Sequence, residues 1–239
     1  MSSGLSHIDL EVLSGSQQLG KDGKDGVTYM HSLKKKYVGE YEGQPFSVPR
    51  GRSIAVKTFK AKKSVAKILK EAELQSICAS AGISPQVYGV NVHDKYIAME
   101  MMVGLPAEDY RGGVMPDDQQ YMICALMGRL DSAGILHGDM NALNVMLCSK
   151  GRPYMIDFGF AKKIKSMRSK SNTMCGTPLY MAPELVRHQK YSEKVDVWSI
   201  GIITYQLLSG RTPFDGKNIK SINKNILYKF LMIRDLRLV

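Results

Sequence analysis

Apolar and polar positions alternate with two different periods in the first hundred residues. The run Ser53–Phe59 is rich in β-branched and aromatic side chains, which predicts a strand. From Ser64 to Ala81 the apolar residues recur with the period of a helix, and Gly82 is placed to end it. This segment is therefore expected to form a strand followed by an amphipathic helix.

The rest of the pattern predicts a strand-rich first part and a helix-rich second part. The further predicted elements are, in chain order, strands at Val87–Val92 and Lys95–Met101, a loop-rich junction at Gly104–Pro116 and a helix at Asp117–Ala133. Short strands, turns and then mainly helix follow from Ile135. This order favours an α+β protein with two lobes and a boundary near Met102–Gly104.

The first fifty residues carry weaker patterns. Residues 1–19 have no clear period, and residues 1–18 are interpreted as an N-terminal extension. Residues 20–26, Gly-Lys-Asp-Gly-Lys-Asp-Gly, are typical of a glycine-rich loop. Residues 30–50 are polar and basic and contain several turn formers, which predicts an inserted loop or hairpin.

Composition changes this picture little, but charge adds to it. The chain has 239 residues, of which 44% are hydrophobic and 23% are charged, as in ordinary globular proteins. Its net charge of +11 favours acidic partners: nucleic acid, a membrane surface or an acidic peptide. Nucleic acid is disfavoured because no basic patch is interleaved with aromatic residues.

Cysteine usage and the lack of apolar segments bear on the expected compartment. The four cysteines, at 78, 124, 148 and 175, are too few and too scattered for a disulfide framework. They form no Cys-x-x-Cys pair, which argues against a zinc site. Neither a signal peptide nor a membrane-spanning segment is visible. We expect an intracellular protein, in the cytoplasm or alternatively the nucleus.

Four motifs whose side chains could take part in catalysis or binding occur in order along the chain. They are Ala55-Val56-Lys57, His137-Gly-Asp-Met-Asn-Ala-Leu-Asn144, Asp157-Phe158-Gly159 and Gly176-Thr-Pro-Leu-Tyr-Met-Ala-Pro-Glu184, the last followed by Asp196-Val-Trp-Ser-Ile-Gly201. Each of the shorter motifs is weak evidence for function by itself. A lysine on a strand, such as Lys57, is usually a solvated edge residue, and matches of three residues are common. Their order and spacing carry the signal.

This set resembles the signature of eukaryotic-type serine/threonine protein kinases. The resemblance runs from about Leu19 to Phe214 and implies a bilobal kinase-like fold. A β-rich small lobe with one main helix would occupy about 19–102, and a larger, mostly helical lobe about 103–239, within a kinase domain of 19–239. The implied activity is phosphorylation of protein Ser and Thr hydroxyls by ATP with Mg²⁺, or with Mn²⁺ in its place.

The resemblance also implies catalytic and metal-binding residues. Lys57 would hold the nucleotide phosphates, with a helix carboxylate as its partner: Glu71, or alternatively Glu73. Asp139 would orient the substrate hydroxyl and accept its proton. The implied metal ligands are Asn144 and Asp157.

A nucleotide pocket follows from the same resemblance. Its glycine-rich loop departs from the family spacing, because the glycines lie at 20, 23 and 26. Met99 corresponds to the residue at the back of the pocket. The implied nucleotide-binding residues are Gly20, Gly23, Gly26, Val27, Ala55, Lys57, Glu100, Met102 and Met146.

Three departures from the family pattern affect regulation and turnover. Gly138 replaces the arginine that precedes the catalytic aspartate, as in small atypical kinases associated with tRNA modification, which lack a string like Gly176–Glu184. Asn141 replaces a lysine that contacts the γ-phosphate, so turnover is expected to be low. The arginine that pairs with the counterpart of Glu184 would fall beyond Val239, which predicts a domain shortened at its C-terminal end.

Substrate choice and an alternative function complete the expectations. Residues 162–170 carry five cationic side chains and no acid, which favours a substrate with acidic flanks. The irregular glycine loop and Asn141 leave open a pseudokinase, a nucleotide-binding interaction module with little or no phosphotransfer. The sequence gives no oligomeric state.

Overall fold

The computed structural model describes residues 5–10, 16–20, 22–23, 25–41, 44–110, 117–148, 151–164 and 176–229. The chain forms two compact units, Met1–Met102 and Val103–Val239. Much of the predicted basic segment, residues 165–170, and Cys175 lie outside the described residues.

The small unit is built on one antiparallel sheet. Its strands are β1 (Gln17–Leu19), β2 (Gly26–Ser32), β5 (Ser53–Phe59), β6 (Val87–Asn91) and β7 (Tyr96–Glu100), in the order β1-β2-β5-β7-β6. The segment predicted as an inserted loop or hairpin forms a separate two-stranded hairpin of β3 (Tyr37–Tyr41) and β4 (Gln44–Val48). The predicted strand at 53–59 coincides with β5.

One helix, α1 (Val65–Ser80), packs on this sheet. Because neighbouring side chains of a strand point to opposite faces, β5 contributes to two apolar clusters. The cluster on the α1 side includes Ala55, Phe59, Ile68 and Ala72. The cluster on the other face includes Ile54 and Val56 together with Ile8. Both sides of the central strand are therefore covered.

Residues 5–10, which precede the predicted domain start, contribute to this core. Ile8 is 0% exposed, and its carbonyl accepts a hydrogen bond from the Tyr96 hydroxyl at 3.0 Å. His7 forms an isolated parallel bridge with Val90 of β6. The first strand also begins at Gln17, before Leu19. The sequence did not predict that these residues join the core, because the apolar residues of this segment follow no helix or strand period.

The larger unit is mainly helical. Its helices are α2 (Asp117–Ser132), α3 (Pro183–Val186), α4 (Lys194–Ser209) and α5 (Ile219–Tyr228), and its short strands are β8 (Gly104–Pro106), β9 (Ile135–Leu136), β10 (Val145–Cys148), β11 (Pro153–Met155) and β12 (Lys162–Lys163). The strands pair as β11-β10-β8 and β12-β9. The predicted loop-rich junction thus contains a strand, β8, too short to show a period. Among the described residues, none of the helices is long and apolar enough to cross a membrane.

Candidate active site

In the small unit, Lys57 and Glu71 form a buried ion pair. Lys57 lies on the face of β5 that packs on α1, with Ala55 and Phe59 on either side of it. Glu71 shares the sheet-facing side of α1 with Ile68 and Ala72 and is 2% exposed. Lys57 Nζ donates to Glu71 Oε1 at 2.6 Å. The structure therefore pairs Lys57 with Glu71, one of the two carboxylates left open by the sequence.

The other predicted nucleotide-binding residues of the small unit lie on the sheet and on the loop before it. Gly20 and Gly23 are exposed in the connection between β1 and β2, where Gly23 N–H donates to the Gly26 carbonyl at 2.9 Å. Gly26 and Val27 begin β2, and Ala55 pairs in register with Met99. These positions lie along neighbouring strands, as one binding surface would require.

The end of the small unit contains the two predicted contacts to a base. The Glu100 N–H donates to the Gln86 carbonyl at 2.8 Å, so it is already used within the sheet. Met102 is the last residue of the unit and is half-buried. Gln75 Nε2 donates to the Met99 sulfur at 3.3 Å, which holds the Met99 side chain against α1.

In the larger unit, the loop between β9 and β10 carries the predicted catalytic aspartate. The Asp139 Oδ1 accepts a hydrogen bond from the Thr177 hydroxyl at 2.9 Å. Asn144 Nδ2 donates to the Asp139 carbonyl at 3.0 Å and lies 3.5 Å from Asp139 Oδ2. Met146, the predicted contact to the base, follows on β10 with a half-buried side chain. The structure therefore brings Asp139 and Asn144 together.

Asn141 organises this loop from within. Its Oδ1 accepts from the N–H groups of Leu143 and Asn144 at 3.0 and 3.2 Å. Its Nδ2 donates to the Asp139 carbonyl and to the Thr177 hydroxyl, both at 3.1 Å. Because the amide is buried and bonded at both ends, it acts on the position of Asp139 and Thr177.

Asp196, near the start of α4, anchors the same loop, a role that the sequence alone did not indicate. Its carboxylate accepts from the N–H groups of His137 at 2.6 Å and of Gly138 at 3.0 Å. Burial raises the pKa of Asp196 from 3.8 to about 6, and these two bonds oppose the rise. The available signal was an aspartate at the head of an apolar helix, Asp196-Val-Trp-Ser.

Gly138 occupies a backbone conformation that favours glycine. Its φ of +77° lies in the left-handed region, which is energetically unfavourable for residues with a β-carbon. A β-carbon here would also lie 3.2 Å from the Phe160 carbonyl oxygen. The glycine that departs from the family pattern therefore fits its local backbone.

Asp157 follows β11 and is the predicted metal ligand. Its φ of +62° is unusual for a residue with a side chain, and its Oδ1 accepts from Gly159 N–H at 3.2 Å. Phe158, next to it, packs edge-on against His137 with 4.9 Å between ring centroids. That buried pair ties the Asp157 backbone to the loop that carries Asp139.

Asp139 and Asp157 are close enough for their charges to interact. The pKa of Asp139 is raised, chiefly by burial, and the Asp157 charge raises it further. Bonds from Thr177 and Asn141 act in the opposite direction. Two nearby carboxylates favour a cation between them, and carboxylate and amide oxygens are suitable ligands for Mg²⁺.

The residues present fit a metal bound jointly with substrate phosphates. Within the described parts of the chain, no group of three or more His, Cys, Asp or Glu side chains could hold a metal ion alone. Mg²⁺ at nucleotide sites commonly takes only one or two carboxylates and completes its shell with phosphates and water. Asp157 and Asn144 suit that arrangement.

Comparison with known proteins gives the family. A model of the protein kinase domain matches residues 45–238, which include every motif described above but begin after the glycine-rich loop. The match gives the family and not the role of any residue, so the roles assigned to all the site residues stay predictions.

Several serine/threonine kinases are similar to parts of the chain. The kinase CLA4 of Eremothecium gossypii is 46% identical over 91 residues, which are 38% of this chain and 12% of that protein. An Aurora kinase of the same organism is 32% identical over 175 residues, 70% of this chain and 47% of that protein. The kinase pakA of Talaromyces marneffei is 36% identical over 126 residues, 51% of this chain and 20% of that protein. The chain spans less than half the length of these curated relatives.

The predicted α+β class is confirmed, since a β-rich unit with one main helix precedes a mainly helical unit. The predicted resemblance is confirmed as well, because the domain match covers most of the chain and the matched relatives are serine/threonine kinases. The chain, with its Lys57–Glu71 pair and its His-Gly-Asp loop, therefore belongs to the eukaryotic-type protein kinase family.

Proposed function

We propose that this chain transfers the γ-phosphoryl group of ATP to Ser or Thr hydroxyls of a protein substrate. The observation that carries the proposal is the arrangement around Asp139, whose carboxylate and carbonyl are held by Thr177 and Asn144. A carboxylate fixed in this way can orient a hydroxyl nucleophile. Because burial and the Asp157 charge raise its pKa, it is also a better proton acceptor than a solvated carboxylate.

The proposed reaction is an in-line displacement. The substrate hydroxyl oxygen attacks the γ-phosphorus while its proton passes to Asp139. The bond between the γ-phosphorus and the β–γ bridging oxygen breaks, and ADP leaves with that oxygen. Lys57 contributes a positive charge for the α- and β-phosphates, and Glu71 fixes its ammonium group.

ATP and a divalent metal are general requirements of this family, and Mg²⁺ is proposed here, with Mn²⁺ as a substitute. Asp157 and Asn144 would hold the metal, whose positive charge would offset the negative charge that develops on the transferring group. Both residues offer oxygen atoms, which hard cations prefer. Their roles, like those of Lys57, Glu71 and Asp139, are part of the proposal.

We further propose a preference for acidic residues near the target Ser or Thr. Support comes from the net charge of +11 and from the five cations at residues 162–170. Only Lys162 and Lys163 of that set are described; they form β12, and Lys162 Nζ donates to the Tyr191 hydroxyl at 2.9 Å. An intracellular location, in the cytoplasm or nucleus, also remains a proposal.

The test is transfer of labelled phosphate from ATP to a general protein substrate in the presence of Mg²⁺. The wild-type chain is compared with Asp139→Asn, which keeps the size of the side chain but removes its charge. Transfer that falls by orders of magnitude in Asp139→Asn supports the proposal. Binding of ATP by the wild type without any transfer would instead favour the pseudokinase function.

A further inference from the structure

A second lysine, Lys63, lies in the ion-pair site of the small unit and was not singled out by the sequence. It belongs to the short connection between β5 and α1 and is 8% exposed, although its neighbours Lys60 and Lys62 are exposed. Lysine is rarely buried unless its charge is paired. Its burial therefore indicates a specific set of partners.

Lys63 bonds to two carboxylates at once. Its Nζ donates to Glu71 Oε2 at 2.7 Å and to Asp25 Oδ2 at 3.2 Å. Since Glu71 Oε1 accepts from Lys57, each oxygen of this carboxylate holds a different ammonium group. The Lys63 ammonium also lies 4.4 Å from the centre of the Phe59 ring, a favourable cation–π distance.

These contacts connect three parts of the small unit that the proposed reaction would use. Asp25 lies within the glycine-rich loop, Glu71 is on α1, and Lys57 is on β5. Charges alternate along the chain of contacts from Asp25 through Lys63 and Glu71 to Lys57. Without Lys63, the buried Glu71 would be bonded to one ammonium group instead of two. Asp25 would lose its link, through Lys63, to Glu71 on α1.

The connection that carries Lys63 is itself held in place. The Lys63 N–H donates to the Lys60 carbonyl at 2.9 Å, and Lys95 Nζ donates to the Lys63 carbonyl at 3.1 Å. Lys60 reinforces the link to the loop, because its N–H donates to the Asp25 carbonyl at 3.0 Å and its Nζ to the Gly23 carbonyl at 3.0 Å. Lys63 therefore projects from a fixed backbone.

We propose that Lys63 is a positioning residue for nucleotide binding: it holds the Glu71 carboxylate in the orientation that Lys57 needs, and it ties the glycine-rich loop to α1 through Asp25. The inference rests on the proposed function for its meaning in catalysis. The structural coupling of the loop to α1 can be measured without nucleotide. The proposal therefore has two parts, the orientation of Glu71 and the link of the loop through Asp25, and each can be tested separately.

The experiment compares Lys63→Met, Lys63→Arg and Asp25→Asn, with Lys62→Met as the matched control at an exposed lysine of the same connection. Three properties are measured: hydrogen–deuterium exchange of the loop peptide around residues 20–26 without nucleotide, the Kd for Mg·ADP, and kcat and KM for ATP. Lys63→Met is expected to speed exchange in the loop. It should also raise the Kd for Mg·ADP and the KM for ATP about tenfold each, equivalent to about 1.4 kcal/mol.

The other variants separate the effect of the Asp25 contact from that of the Glu71 contact. Asp25→Asn is expected to speed loop exchange and raise KM for ATP with little change in kcat, and to add nothing further in the Lys63→Met background. Lys63→Arg keeps the charge and is expected to restore exchange and binding close to wild type. If Lys63→Met does not fold, Asp25→Asn and Lys63→Arg still decide the matter.

The outcomes distinguish this inference from the proposed function. Loop exchange in Lys63→Met or Asp25→Asn that matches Lys62→Met would overturn the inference, whatever the activity of the wild type. So would independent, multiplicative effects of Lys63→Met and Asp25→Asn. A wild-type chain that transfers no phosphate, but whose loop loosens in Lys63→Met and Asp25→Asn, would reject the proposed function and leave the positioning role in place.

Discussion

The Thr177 hydroxyl donates its hydrogen to Asp139 Oδ1 at 2.9 Å and accepts one from the Asn141 amide at 3.1 Å. A residue 38 positions further along the chain thereby fixes the carboxylate proposed as the proton acceptor. Asn141 stands where the family usually has a lysine, and its uncharged amide is used to hold the threonine. The departure that suggested low turnover thus has a structural role in the loop.

The first prediction concerns Thr177. Thr177→Val keeps the shape of the side chain but removes the hydrogen bond to Asp139, so kcat should fall about 10–100-fold, as expected for the loss of about 1.5–3 kcal/mol. Thr177→Ser keeps the hydroxyl and should stay close to wild type. Steady-state phosphorylation kinetics measure both. Equal activity of Thr177→Val and Thr177→Ser would show that Asp139 does not depend on this bond.

The second prediction is a pH dependence of stability caused by Asp196. Because its pKa in the folded chain is about 6 and its ordinary value is 3.8, the folded state binds more protons between these pH values. The contribution of Asp196 to the free energy of unfolding should therefore decrease as the pH rises from about 4 to about 6.

Asp196→Asn cannot titrate, so the difference in unfolding free energy, wild type minus variant, should decrease over that pH range. Urea denaturation at several pH values measures this difference. Asp131→Asn, at an exposed carboxylate of α2, provides the control. A wild-type-minus-Asp196→Asn difference that is constant or increases with pH contradicts the prediction.

The third prediction tests whether the segment around Ile8 is part of the small unit. Ile8→Ala removes a side chain that is 0% exposed, and such substitutions cost about 2–5 kcal/mol. Val38→Ala, at a side chain that is 64% exposed, should change stability by less than about 0.5 kcal/mol. Denaturant unfolding of both variants gives the comparison. Similar midpoints for both would mean that the segment is not docked in solution.

The fourth prediction concerns the close approach of β2 and β5 at the end of the glycine-rich loop. A β-carbon on Gly26 would lie 1.8 Å from the Thr58 carbonyl oxygen, a contact that only backbone movement can relieve. Gly26→Ala should therefore destabilise the chain and weaken ATP binding. Gly128→Ala, in the C-terminal half of α2 with open space around it, should be neutral or stabilising by up to about 1 kcal/mol. Nucleotide titration and thermal unfolding are the measurements, and unchanged ATP affinity in Gly26→Ala would refute the link to the loop.

Much of the scaffold could be predicted from local pattern. β5 coincides with the predicted strand, and α1 lies within the predicted helix, because period and propensity act over neighbouring residues. The strand β8 and the docked Ile8 could not be predicted. Each depends on a partner far along the chain, and neither carries a period of its own.

The sequence by itself determined the family, the order of the motifs and the side-chain types available for chemistry. Only the tertiary structure decided which charges meet: Glu71 pairs with Lys57, Lys63 joins them, and Asp196 anchors the loop before Asp139. The physical reason is that ion pairs and hydrogen bonds act over a few ångströms, whereas their partners are separated by many residues. Packing of β5 against α1, and of the loop around Asp139 against α4, brings those atoms within reach.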